Sequence, residues 1–227
     1  MTTFLVAHGA WSAGWAWKKM HPLMAGRGHR LLTPTYTGLG ERAHHASPDV
    51  DLDTHIADML GVIEMEDLNG FILIGHSYGG MVATGVAARA RGRIAKLVYL
   101  DAFAPRDGDS VFSLTPDREQ AVRAQLAKDG DGWRITPNPL PPDTAAADQA
   151  WAMPRRLPQP FKTFEQKLTL PGGGKIPFMT MLRASQNYIL AAAKGMTIFE
   201  LPPYKTIYDR EQWKPLLSWL SSDRSIA

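Results

Sequence analysis

The 227-residue chain contains no cysteine, which excludes a disulfide framework, a thiolate nucleophile and any cysteine-ligated zinc or iron–sulfur centre. It also lacks an apolar run near the ~18 residues that a membrane span requires. The opening MTTFLVAHGAW has neither the basic start nor the long apolar core of a secretory signal, so a cytoplasmic protein is expected. Charge of one sign is scarce as well. Twenty-five basic residues face 22 acidic ones, for a net charge of +3, and they are scattered rather than gathered into the basic patch that nucleic-acid binding demands. With 44% hydrophobic and 21% charged residues the composition is globular, and disorder of the whole chain is excluded.

What is present is an alternation of short apolar runs with helical patterns, the rhythm of βαβ units around a parallel sheet. Strands are predicted at Phe4–Ala7, His29–Thr33, Phe71–Ile74 and Ile94–Leu100. A helix is expected from Trp15 to Met24. Another begins at Asp51 and Asp53, with Ile56, Met59, Leu60, Ile63 and Leu68 at helical spacing up to Asn69-Gly70. A third, Met81–Ala90, is rich in small residues that allow close approach to the sheet. From 105 to 176 the sheet pattern stops, prolines crowd in, and an inserted cap of short helices and loops is expected, with Asp117–Lys128 its clearest helix. Beyond it, Phe178–Leu182, Tyr188–Lys194, Met196–Leu201 and Glu211–Leu220 restore the alternation. The expected class is α/β: residues 1–227 as one domain, a mostly parallel central sheet with helices on both faces and a small inserted cap.

The strand Phe71–Ile74 runs into Gly75-His76-Ser77-Tyr78-Gly79-Gly80 and then a helix, which is the G-x-S-x-G nucleophile elbow. A serine held on so sharp a turn needs neighbours with little or no side chain, the reason for Gly75 and Gly79. The backbone N–H of Tyr78, and one from the His8-Gly9-Ala10-Trp11 loop after the first strand, here Ala10, are the expected oxyanion donors. Trp11 and Trp15 are candidates to line a substrate pocket, although aromatic residues at a helix start also serve packing. Asp101, at the end of a strand, is a further candidate for substrate contact or for capping the next turn. His44-His45 has no partners at ligand spacing, so no metal site is expected. His8 is read as structural and His76 as packing behind the elbow.

The stretches VAHGAWSAGWAWKKM, GHRLLTPTYTGLGERAHH, VDLDTHIADMLGVIEMEDL, ILIGHSYGGMV and LVYLDAFAPRDG cover most of residues 3–109. They resemble the α/β-hydrolase superfamily, in particular small esterases related to plant hydroxynitrile lyases and salicylate methyl esterases; the cap segment LPQPFKTFEQ looks similar too. The resemblance implies the α/β-hydrolase fold and a Ser-His-Asp triad. The chain departs from that pattern: all seven histidines lie at or before His76. Where the family carries its histidine, this chain has Lys205, or Thr206 with a one-residue slip, beside Tyr204 and Tyr208. Asn187 stands at the position of the acid. A lysine desolvated among aromatic groups can act as base, and a surface lysine is the plain alternative. The lyases also carry a threonine where this chain has Gly9, so cyanohydrin cleavage is not expected.

The leading expectation is an esterase-like enzyme acting on a small or medium apolar ester, lactone or related carbonyl compound. Ser77 is its nucleophile, Ala10 and Tyr78 its oxyanion donors, Lys205 and Asn187 its altered triad partners, and Trp11, Trp15, Asp101 and Tyr204 its candidate substrate contacts. The alternatives are a lyase, cyclase or isomerase using the oxyanion hole without a covalent intermediate, and a binding module without chemistry. No cofactor motif is present. A small-molecule substrate is the expected partner, nucleic acid and membrane are not, and a homodimer is left open.

Overall fold

Four parallel strands carry the site: β1 (Thr3–Ala7), β2 (Arg30–Leu32), β3 (Phe71–Ser77) and β4 (Ile94–Ala102), in the order β2-β1-β3-β4. The computed structural model describes residues 1–129 and 131–171, together with Tyr204, Ile207, Arg210 and Glu211. The chain divides into two compact units, Met1–Ile176 and Pro177–Ser225, and all the elements below belong to the first. Leu5, Val6, Ala7, Phe71 and Leu73 are fully or almost fully buried, as in a sheet covered on both faces, and Leu5 lies opposite Leu73 and Ala7 opposite Gly75. Helix α1 (Met20–Ala25) packs with β2, and α2 (Leu52–Met65) packs with α3 (Gly79–Arg89); right-handed crossovers, the rule for parallel strands, put α1 on the opposite face from α2 and α3.

Helix α2 starts at a reciprocal cap in which the Asp51 carboxylate accepts from Thr54 N at 2.8 Å and Thr54 Oγ1 accepts from Asp51 N at 3.4 Å. It buries Leu52, His55, Ile56, Met59 and Ile63, the i, i+3, i+4, i+7 stripe of an amphipathic helix. Helix α3 is buried along almost its whole length. A Cβ on its Gly85 would lie 2.3 Å from Ile56 Cδ1, so the glycine leaves the room that the Ile56 side chain occupies between α2 and α3.

The expected helix Trp15–Met24 is instead a 3-10 turn at Gly14–Trp17 followed by α1 from Met20. Pro22 explains the break. It has no N–H to give to residue 18 and its ring clashes with that carbonyl, so it is accommodated only in the first turn of a helix.

The segment after β4 forms α4 (Val111–Leu114), α5 (Pro116–Asp129), β5 (Arg134–Ile135), α6 (Ala146–Ala152), β6 (Gln159–Pro160) and α7 (Lys162–Glu165). Strands β5 and β6 pair antiparallel, with Ile135 opposite Gln159. The cap is closed at its base, where Leu168 N donates to Asp109 O at 2.8 Å, Gly108 N to Leu168 O at 2.8 Å and Leu170 N to the Asp107 carboxylate at 2.7 Å. Among the described residues no helix is long and apolar enough to cross a membrane. The elements expected from Phe178 to Leu220 lie outside the described residues, apart from the four isolated positions.

Candidate active site

In the order β2-β1-β3-β4 the chain leaves β1 in one direction and β3 in the other, so the crevice beyond the carboxyl ends of β1 and β3 is the topological switch point where such sheets bind ligands. Ser77 ends β3 there with φ +52°, a left-handed conformation unfavourable for a residue with a side chain. Its glycine neighbours make the turn possible. A Cβ on Gly79 would lie 2.0 Å from Ala7 O, one on Gly80 1.9 Å from Phe103 O, and one on Gly75 2.9 Å from Ala83 Cβ. The Ser77 carbonyl accepts from Phe103 N at 3.1 Å. Tyr78 is the first residue past the turn and leads into α3, so its N–H belongs to the positive end of that helix.

The loop after β1 meets this turn at Gly9, where a Cβ would lie 3.2 Å from Ser77 Cβ and 3.1 Å from His76 Nδ1. A side chain there would need His76 or Ser77 to give by a few tenths of an ångström. Ala10 is partly buried against the core, and Trp11 is 6% exposed with φ +55°. The cap holds Trp11 twice: its N–H donates to Gln159 Oε1 at 3.2 Å and its indole N–H to Ile135 O at 2.9 Å. The Trp11 ring meets Phe164 edge-on, and the half-buried Arg118 guanidinium lies 5.0 Å over it. Desolvation lowers the Arg118 pKa.

Behind the loop runs a buried stack. His8 lies 3.8 Å from Tyr36, and Tyr36 lies 4.6 Å from His55. A carbonyl can only accept, so His8 Nδ1–H donates to Gly9 O at 2.9 Å and Nε2 accepts from Tyr36 N at 3.3 Å. By the same logic His55 Nε2–H donates to Thr37 O at 3.0 Å, and Nδ1 accepts from the Tyr78 hydroxyl at 2.9 Å. Burial pushes His8 down to about 3 and His55 to about 4, outweighing the backbone hydrogen bonds and the more distant Asp58 and Asp51 charges that raise them. Burial also holds the Tyr36 and Tyr78 phenols well above their ordinary range. The stack ties the β1 loop to α2 and α2 to the elbow.

The structure thus sets Gly9 against Ser77, with Ala10 and Trp11 following in the same loop and Tyr78 following in the turn. Trp11 is buried against the cap, and Trp15 meets Trp151 of α6 edge-on at 5.1 Å, so both join the cap to the sheet. The Trp15 indole N–H has no hydrogen-bond partner among the described residues. Asp101 is exposed with φ +44° at the irregularity where His76 pairs with Leu100 and Ser77 with Ala102. Its charge raises the His76 pKa against a larger lowering by burial. Tyr204, in the second unit, is 76% exposed. Lys205, Thr206 and Asn187 lie outside the described residues. Sequence reasoning gave no role to Tyr36, His55, Gln159 or Thr163. Only His55 carried a signal, as a polar side chain on the apolar stripe of α2. Among the described residues no group of three histidine and carboxylate side chains could hold a metal.

A model of the alpha/beta hydrolase family matches residues 4–213. A carbendazim hydrolyzing esterase of Nocardioides sp. (strain SG-4G) is 45% identical over 183 residues, 77% of this chain and 76% of the relative. Salicylic acid-binding protein 2 of Nicotiana tabacum is 32% identical over 114 residues, 48% of this chain and 42% of the relative. Among solved structures, an extracellular alpha/beta-hydrolase from a Paenibacillus species matches with TM-score 0.68 and 27% identity, covering 99% of this chain and 88% of the other. The family model, these esterase-type relatives and the sheet with its Ser77 turn agree, and the chain belongs to the alpha/beta hydrolase family.

Proposed function

We propose that this hydrolase is a serine-dependent esterase of small or medium, mostly apolar esters, lactones or related carbonyl compounds. The observation that carries the reading is Ser77 at φ +52°, packed against Gly9 at the switch point and followed directly by α3. The esterase from Nocardioides supports an ester as the substrate class. In this reading Ser77 Oγ attacks the carbonyl carbon and the carbonyl π pair moves to oxygen, where the Ala10 and Tyr78 N–H groups receive the charge. Lys205, at the sequence position of the family's histidine, is the candidate base to take the Ser77 proton and return it to the departing alkoxide. Water then cleaves the acyl-serine. Asn187, at the position of the family's acid, supplies a hydrogen bond and no charge.

The test is intact-protein mass spectrometry after a serine-directed fluorophosphonate. A stoichiometric adduct absent from Ser77→Ala and slowed at least tenfold in Lys205→Ala is expected; a folded protein that forms no adduct overturns the reading. One observation favours a second reading. The chain has no histidine beyond His76, and a lyase, cyclase or isomerase that stabilises an enolate in the same oxyanion hole needs no activated serine. A cyclase or isomerase product would keep the mass of the substrate, and lyase fragments would sum to it with no water added.

A further inference from the structure

We propose that Gln159 is a positioning residue for the oxyanion hole, acting through the backbone of Trp11; the proposal rests on the serine-esterase reading above. Gln159 is fully buried in β6, and its amide can face only one way. The Thr163 hydroxyl donates its single proton to Pro160 O at 2.6 Å, so Thr163 Oγ1 accepts from Gln159 Nε2 at 2.9 Å. That fixes Gln159 Oε1 toward Trp11 N, 3.2 Å away. The second hold on Trp11 comes from the same rung of the cap ladder, because Ile135, whose carbonyl accepts the indole N–H, pairs with Gln159.

Trp11 needs holding. Its φ of +55° is unfavourable for any residue with a Cβ, and its N–H is buried. Trp11 follows Ala10 directly, so a change in its φ turns the peptide plane that carries the Ala10 carbonyl, and the Ala10 N–H shifts as the Ala10 dihedrals adjust to it. Remove the acceptor at 159 and two forces act together: a buried donor without a partner and a strained dihedral, both relieved by rotation of the loop. With the Trp11 N–H committed to Gln159, the loop donor left for a developing oxyanion is that of Ala10. The cap therefore completes the site electrostatically as well as covering it, and Gln159 is the link between the two.

The experiment uses the full-length chain, with p-nitrophenyl butyrate as substrate and amide hydrogen exchange read at Ala10 and Trp11. Gln159→Met matches the side-chain length without an acceptor. Gln159→Glu, buried and protonated, keeps a carbonyl for Trp11 and an O–H for Thr163. In Gln159→Met, kcat is expected to fall on the order of 10-fold to 100-fold with KM within about twofold, as for a weakened oxyanion donor, and Trp11 exchange to quicken at least tenfold. Gln159→Glu is expected to restore most of both. Should Gln159→Met not fold, Gln159→Asn, one methylene short, carries the same expectation. Unchanged kcat, a loss that follows the folded fraction in a melt, or no rescue by Gln159→Glu overturns the proposal. A wild-type chain that neither turns over the ester nor labels at Ser77 defeats the esterase reading alone. The exchange comparison still decides on Gln159: faster Trp11 exchange supports the hold, and unchanged protection overturns it.

Discussion

Two glycines show how much a single residue's surroundings decide. Gly61 sits in the exposed face of α2, and a Cβ there would meet nothing within 4 Å. Gly61→Ala is expected to stabilise the fold by about 0.5–1 kcal/mol, since alanine loses less backbone freedom in a helix. Gly79 sits below the Ser77 turn, where a Cβ would be 2.0 Å from Ala7 O and 2.6 Å from His8 O. Those are backbone atoms of β1 and its loop, and they cannot move without unpairing the sheet. Gly79→Ala is expected to cost about 3 kcal/mol or more. Urea unfolding of the two variants beside the parent measures both, and equal midpoints would contradict the close packing of elbow and β1.

Elements were legible from the sequence in proportion to how local their causes are. Phe71–Ile74 reads as a strand because a parallel strand buried on both faces is a continuous apolar run, and the glycines after it announce the turn whose dihedral the structure displays at Ser77. The start of α2 was equally plain at Asp51 and Asp53, although Thr54, the second member of the cap, was not named from the sequence. Asp51→Ala is expected to cost about 1 kcal/mol, read as a shift in urea midpoint with unchanged slope. The break at Pro22 was written in the sequence but lost beneath the apolar spacing around it. The pair β5–β6 was not legible at all: each strand has two residues, one of them Pro160, and their pairing spans 24 residues of cap. The same holds for the His8–Tyr36–His55–Tyr78 network. Its members are brought together by crossovers rather than by any periodicity, so nothing local in the chain encodes the contact.

At the scale of the whole molecule, that network makes folding depend on pH. His8 and His55 are uncharged in the folded state, with pKa values of about 3 and about 4 against an ordinary value of 6.5, and His76 is lowered in the same direction by burial. Below pH ~6.5 the unfolded chain therefore takes up protons that the folded chain refuses. The sign follows: this contribution is complete above that pH, shrinks as pH falls, and is exhausted only below the folded values. Each histidine adds up to about 1.4 kcal/mol per pH unit to the slope, so His8 and His55 together give about 2.5 kcal/mol per unit near pH 5.5. Urea unfolding free energies between about pH 7 and pH 5, a range above most carboxylate titration, would show the fall. His55→Gln keeps a side-chain acceptor for Tyr78 without a titrating group and is expected to remove nearly half of the His8 and His55 slope. A stability flat across that range would mean the two imidazoles are not buried as neutral groups. A steep fall in both parent and His55→Gln would assign the protons elsewhere. Because His8 Nε2 accepts from Tyr36 N and His55 Nδ1 accepts from the Tyr78 hydroxyl, protonating the stack sets donor against donor at Tyr36 and at the elbow together.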